Sequence, residues 1–177
     1  MGFNIGVKSK QIKNDYDCRH FIDRRFFNFV QSYEIYHDES IIIQCGIYYE
    51  LDLLPLTKLV YTWDELTEQY INEHIQKIDF LLELIEKFKN KILDDNTVCD
   101  KITYAKLVNP FDLFQVEQET TEILQLNELF QKEINDNPNP WEWYFKEGNI
   151  LTDLDNLRSY IQCYKDKGAS EIYLTAG

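Results

Sequence analysis

The chain has 177 residues, 44% of them hydrophobic and 15% aromatic, and carries a formal net charge of −13. That length and apolar content fit one compact domain over residues 1–177 with a substantial core. The charge argues against direct binding to nucleic acid or an anionic membrane, because neutralising phosphates takes clustered Lys and Arg.

Phe3, Ile5 and Val7 alternate with small or polar residues, the period-2 pattern of a half-buried strand, and Ile172 and Leu174 alternate likewise near the other end. These two terminal segments are expected to pair. A first helix is expected over residues 16–36, capped by Asn14 or Asp15, with Cys18, Ile22, Phe26, Phe29 and Tyr33 at three-to-four-residue spacing. Residues 40–54 carry an isoleucine run that suits a strand, but Asp38 as a cap and an Ile42, Cys45, Tyr49 stripe favour a short buried helix, ended by Pro55.

A long central helix is expected over residues 62–93. Thr62 with Glu65 forms a capping box, Tyr61 and Leu66 occupy the staple positions, and Ile71, Ile78, Ile85 and Ile92 recur every seven residues among His74, Leu81 and Phe88. Lys87, Lys89 and Lys91 complement the carboxyl end of its dipole. Residues 95–109 look like a connection with a short strand at 102–108. A second long amphipathic helix follows, with Val116, Ile123, Leu126, Phe130 and Ile134 inward, until Pro138 and Pro140 stop it. The last helix starts near Thr152, with Leu154, Leu157, Ile161 and Tyr164 inward and Lys165, Lys167 and Gly168 at its end. The fold class is therefore mainly α (α+β): four to five helices around a long central one, plus a small β element.

The cysteines Cys18, Cys45, Cys99 and Cys163 lie far apart with no C-x-x-C pair, so reduced thiols are expected. The run at 41–54 is broken by Gln44, Glu50 and Asp52 and is too short to span a bilayer. The first residues lack the basic region and continuous apolar core of a signal peptide, which leads to the expectation of a soluble cytoplasmic protein.

The histidines His20, His37 and His74 limit acid/base and metal chemistry. His74 falls on the apolar stripe of the central helix and reads as a core residue. In His37-Asp38-Glu39 the adjacent side chains diverge, so a helix-start cap is favoured over a metal site. Cys18 and His20 also diverge on a helix, and the six glycines form neither a dinucleotide-binding nor a P-loop pattern. No metal and no cofactor are implied.

Residues 110–155 hold eleven acids against Lys132 and Lys146, while the first 30 residues hold six bases against three acids. Arg19, Arg24 and Arg25 are therefore expected to pair with this protein's own acidic half more than with an external anion. At 100° per residue, Glu117 and Glu128 fall on one flank of the Val116, Ile123, Phe130 stripe and Glu122 and Glu133 on the other. What remains is the turn at 136–147, where Asp136, Glu142 and Glu147 surround Trp141 and Trp143. Aromatic residues of this kind dominate both cores and interface hot spots, and acids around them select a basic partner. The expected protein-binding residues are thus Asp136, Trp141, Glu142, Trp143, Glu147, Glu117 and Glu122. The expected function is a non-enzymatic acidic protein that engages a basic protein partner, as an inhibitor or toxin-neutralising immunity protein does. Two other classes stay open: a hydrolase or transferase built from distant carboxylates and histidine, and a homo-oligomeric structural subunit.

Overall fold

A computed structural model of the chain describes residues 4–13, 15–62, 66–101 and 141–177. Along these run β1 (Ile5–Lys8), α1 (Arg24–Tyr36), α2 (Ile41–Tyr49), β2 (Leu59–Tyr61), α3 (Glu68–His74), β3 (Gln76–Lys77), α4 (Ile78–Asp94), α5 (Glu142–Lys146), α6 (Asn149–Asp166) and β4 (Glu171–Ala176). The protein is mainly helical with a small sheet, the expected α+β class, with six helices among the described residues.

The terminal strands pair as their alternation demands. β1 runs antiparallel to β4, Ile5 opposite Ala176 and Val7 opposite Leu174, which sends Ile5, Val7, Leu174 and Ala176 into the core. Two further strands leave no alternation long enough to mark them in the sequence. β2 lies parallel on the other side of β4, and β3 pairs antiparallel with its first residues, Gln76 opposite Ile172. Tyr61 thus belongs to a strand and not to a helix staple, and the Thr62 amide extends the sheet by donating to the Ala176 carbonyl at 2.9 Å.

That pairing also corrects the central helix. The 62–93 span is two helices: α3 is capped by Thr67, whose hydroxyl accepts from the Tyr70 amide at 3.1 Å, and α4 starts only at Ile78. Between them Gln76 and Lys77 are extended on β4, the Gln76 amide group donates to the Pro55 carbonyl at 2.9 Å, and the Ile78 amide donates to Ser170. Sheet hydrogen bonds have overridden helical periodicity at this point. Ile78, Leu81, Ile85, Phe88 and Ile92 are buried as the heptad predicts, whereas Ile71 and His74 are only half-buried. Glu65 lies outside the described residues, as do the expected strand at 102–108 and the expected helix after residue 112.

The first helix starts late. Instead of Tyr16 under an Asn14 or Asp15 cap, α1 begins at Arg24 with the Asp23 carboxylate accepting from the Arg25 amide at 2.9 Å. Asp15 and Cys18 are committed elsewhere, and only Tyr16–Cys18 forms a single 3₁₀ turn. Residues 41–49 are helical, but Ser40 rather than Asp38 supplies the cap, accepting from the Ile43 amide. Gly46 has no room for a side chain, since a Cβ there would stand 2.7 Å from the Leu51 carbonyl oxygen.

α6 packs along α4, and its expected inward residues Leu154, Leu157, Ile161 and Tyr164 are all buried. Three ion pairs lace these helices, Asp79 with Lys165 at 2.7 Å, Glu86 with Arg158 at 3.3 Å, and Lys89 with Asp155. Each step up α4 is matched by an equal step down α6, as antiparallel packing requires. In the core Phe29 of α1 meets Phe26, Phe88 of α4, and both Trp141 and Phe145 at ring-centre distances near 6 Å.

Candidate binding surfaces

The acidic aromatic turn is divided between core and surface. Trp141, Tyr144 and Phe145 are at most 2% exposed, so their rings stabilise the fold. Trp143 is half-buried, and the guanidinium of Arg25 covers its ring. Glu142 and Glu147 are exposed. Glu142 shares Lys146 with Asp100, each at 3.0 Å, and the two carboxylates raise the pKa of the ammonium above its ordinary value. Asp136, Glu117 and Glu122 lie outside the described residues.

Of the three early arginines, Arg25 docks on the described part of the turn, through Trp143, with Asp23, two residues before it, 3.5 Å away. Arg19 lies over the Tyr16 ring at 4.7 Å, and Arg24 is exposed. Among the described residues, the contact of the first helix with the turn therefore runs through an aromatic face; the acids from Asp112 to Asp136 lie outside the described residues.

A cleft of about 200 Å³ opens beside this stack, between the residues before α1 and the starts of α5 and α6. Phe21, 72% exposed, forms its outer wall, and Asp153 sits at its base, 4% exposed. The two oxygens of Asp153 accept from the Asp23 amide at 2.8 Å and the Tyr144 hydroxyl at 2.7 Å. Burial raises the pKa of this carboxyl, and the two hydrogen bonds oppose the shift. An acid on an otherwise apolar helix face is a signal present in the sequence, where Asp153 stands between Ile150 and Leu157.

A second cavity, about 230 Å³, lies between the loop after α2 and the outer face of α4. Glu50, Asp52 and Glu83 supply three carboxylates around Phe80, whose side chain is 50% exposed, and Leu51 and Leu84 complete the wall. Lys87 also lines it and is held by Glu83 at 2.6 Å. Phe80 falls off the buried heptad stripe, so periodicity does not mark this place; an aromatic residue on the polar face of a helix is the signal that could have found it.

The expectation of four reduced thiols is overturned. Cys18 and Cys163, 145 residues apart, form a disulfide, which the sequence could not reveal because the partners share no local spacing. Cys45 and Cys99 are buried thiols outside the disulfide, and burial pushes both up. The histidines sit on separate elements: His20 faces Tyr160, His37 follows α1 against Tyr33, and His74 ends α3 with its ring nitrogen 2.8 Å from the Tyr70 carbonyl. None of them lines either cavity. His37–Glu39 forms a 3₁₀ turn rather than a helix-start cap, with the His37 amide closing α1 by donating to the Tyr33 carbonyl, and among the described residues no group of three His, Cys, Asp or Glu is placed to hold a metal. No helix among the described residues is long and apolar enough to cross a membrane. No protein-family model, curated protein or solved structure matches this chain.

Proposed function

We propose that this chain is a non-enzymatic acidic binding protein that engages a basic protein partner, as an inhibitor or toxin-neutralising immunity protein would, at a cytoplasmic site of action. The observation that carries the reading is the cavity at Phe80. An Arg or Lys side chain of the partner lays its methylene stem along Leu51 and Leu84, stacks its charged end on Phe80, and is neutralised by Glu50 and Asp52. Such a contact combines an aromatic anchor with charge selection, the pairing that gives a protein interface both energy and specificity. Exposed Glu142 and Glu147, with Glu117, Glu122 and Asp136, supply the wider negative field that steers the partner, while Trp143 holds the turn against Arg25 and Trp141 anchors it in the core.

The test is capture from source lysate by the wild-type chain beside a Glu50→Lys, Asp52→Lys, Glu83→Lys variant, at about 0.1 M and about 1 M salt, between which the screening length falls from about 10 Å to about 3 Å. A specific partner of net positive charge, lost on reversal and weakened by salt, supports the proposal. Capture of no specific partner, or capture indifferent to both changes, contradicts it.

A further inference from the structure

Residues 15–23 lie along one face of α6 in the opposite direction. The Asp23 amide bonds Asp153, Asn156 donates to the Phe21 carbonyl at 2.8 Å, the His20 ring faces Tyr160, Cys18 is bonded to Cys163, the Tyr164 hydroxyl donates to Asp15 at 2.8 Å, and Lys167 reaches Asp17 at 3.7 Å. From Asp23 to Asp17 the partner number rises along the helix as the strap number falls, roughly one contact per turn, and Asp15 turns back to Tyr164. Most of these contacts are polar; those of Asn156 with Phe21 and of Lys167 with Asp17 are exposed and exchangeable with water, while those of Asp153 and Asp15 are buried or part-buried. Cys18 and Ile22 are the strap's buried hydrophobic side chains, and the disulfide is its one covalent tie.

We propose that the Cys18–Cys163 disulfide is a redox latch: a dithiol reductant opens it, releases the strap from α6, and loosens the wall that Phe21 and Asp23 give to the 200 Å³ cleft. Access is asymmetric. Cys18 is fully buried, while Cys163 is only half-buried, so a reductant thiolate attacks the Cys163 sulfur. The sulfur–sulfur bond breaks, Cys18 leaves as a thiolate and takes a proton, and a mixed disulfide remains on Cys163. The second thiol of the reductant attacks its own sulfur in that mixed disulfide, frees Cys163 as a thiol, and departs as a cyclic disulfide. Two electrons and two protons pass from reductant to protein. Disulfides of reducing compartments are usually transient or redox-sensing, and a bridge that joins a half-buried cysteine to a buried one, on a strap held mostly by polar contacts, suits that use. Nothing in this inference depends on the basic-partner reading.

The core argues that opening is local. Phe26, Phe29, Phe88, Leu154, Leu157 and Ile161 come from α1, α4 and α6, outside the strap, which adds Cys18 and Ile22 to the same apolar cluster. The experiment uses the full chain purified without reductant, with thiols counted in denaturant and trypsin digestion timed under native conditions, before and after dithiothreitol. Two reactive thiols are expected before reduction, those of Cys45 and Cys99, and four after it. Cleavage after Arg19 should then accelerate on the order of tenfold while circular dichroism stays unchanged, as sub-global opening predicts. A Cys18→Ser, Cys163→Ser variant should be cut at the reduced rate with or without dithiothreitol. The latch is overturned by four thiols before reduction, by a bridge that reduces only in denaturant, by an unchanged cleavage rate, or by reduction that unfolds the whole wild-type chain.

Discussion

The guanidinium of Arg25 lies 3.9 Å from the centre of the Trp143 ring. It joins the basic first helix to the acidic aromatic turn and leaves Trp143 half-covered by the protein's own cation. Arg25→Ala should destabilise the fold by about 1 kcal/mol, the scale of a partly exposed cation–π contact, and Arg25→Lys by less. Urea unfolding of the two variants beside wild type checks this; equal stability of all three would remove the stack from the account.

Asp153 accepts two hydrogen bonds from buried or half-buried donors, so truncation strands both. Asp153→Ala should cost about 2 to 4 kcal/mol, and Asp153→Asn less, because its amide oxygen still accepts one bond. The raised pKa sets the pH dependence. Folding favours the protonated acid, a contribution that is full below the ordinary value of 3.8 and is lost as pH rises through the raised one. Stability of the Asn variant relative to wild type should therefore improve across that rise, measured by denaturant midpoints at successive pH values.

Asp95 has the opposite sign. Its carboxylate accepts from the Thr97 hydroxyl at 2.6 Å, the Tyr48 hydroxyl and the Thr97 amide, which together lower its pKa to about 2. Its contribution is present above 3.8 and is lost as pH falls toward 2. An Asp95→Asn variant should show a shallower loss of stability in that acid window, and a slope identical to wild type would contradict the assignment.

Gly148 joins α5 to α6 at φ +78°, and a methyl group added there would meet nothing within 4 Å, so Gly148→Ala should cost only the left-handed strain, about 1 to 2 kcal/mol. Gly46→Ala, which drives a Cβ into the Leu51 carbonyl, should cost more. Thermal unfolding of the pair ranks them, and the reverse order would mean that the α2 turn yields more easily than its geometry implies.

What the sequence made legible follows from how local each cause is. The paired ends, the helix at 41–49 and the inward face of α6 rest on alternation, on a short apolar stripe and on three-to-four-residue spacing, all visible within a few residues. The break at Gln76 was hidden because its cause is β4, almost a hundred residues on. Cys18 and Cys163 were hidden for the same reason, and with Cys18 at helical spacing from Ile22 and Phe26 the strap along α6 could not be seen. At the candidate surfaces the charge of Glu142 and Glu147 was plain, while the grouping of Glu50 and Asp52 with Phe80 and Glu83 required the packing of the α2 loop on α4.

The proposed partner contact is tested most directly by hydrogen exchange on the complex with the captured basic protein. The account predicts new protection concentrated at residues 50–52 and 80–87, lost when Glu50 and Asp52 are reversed to Lys. Protection confined to other parts of the chain, or the same footprint in the reversed variant, would contradict it.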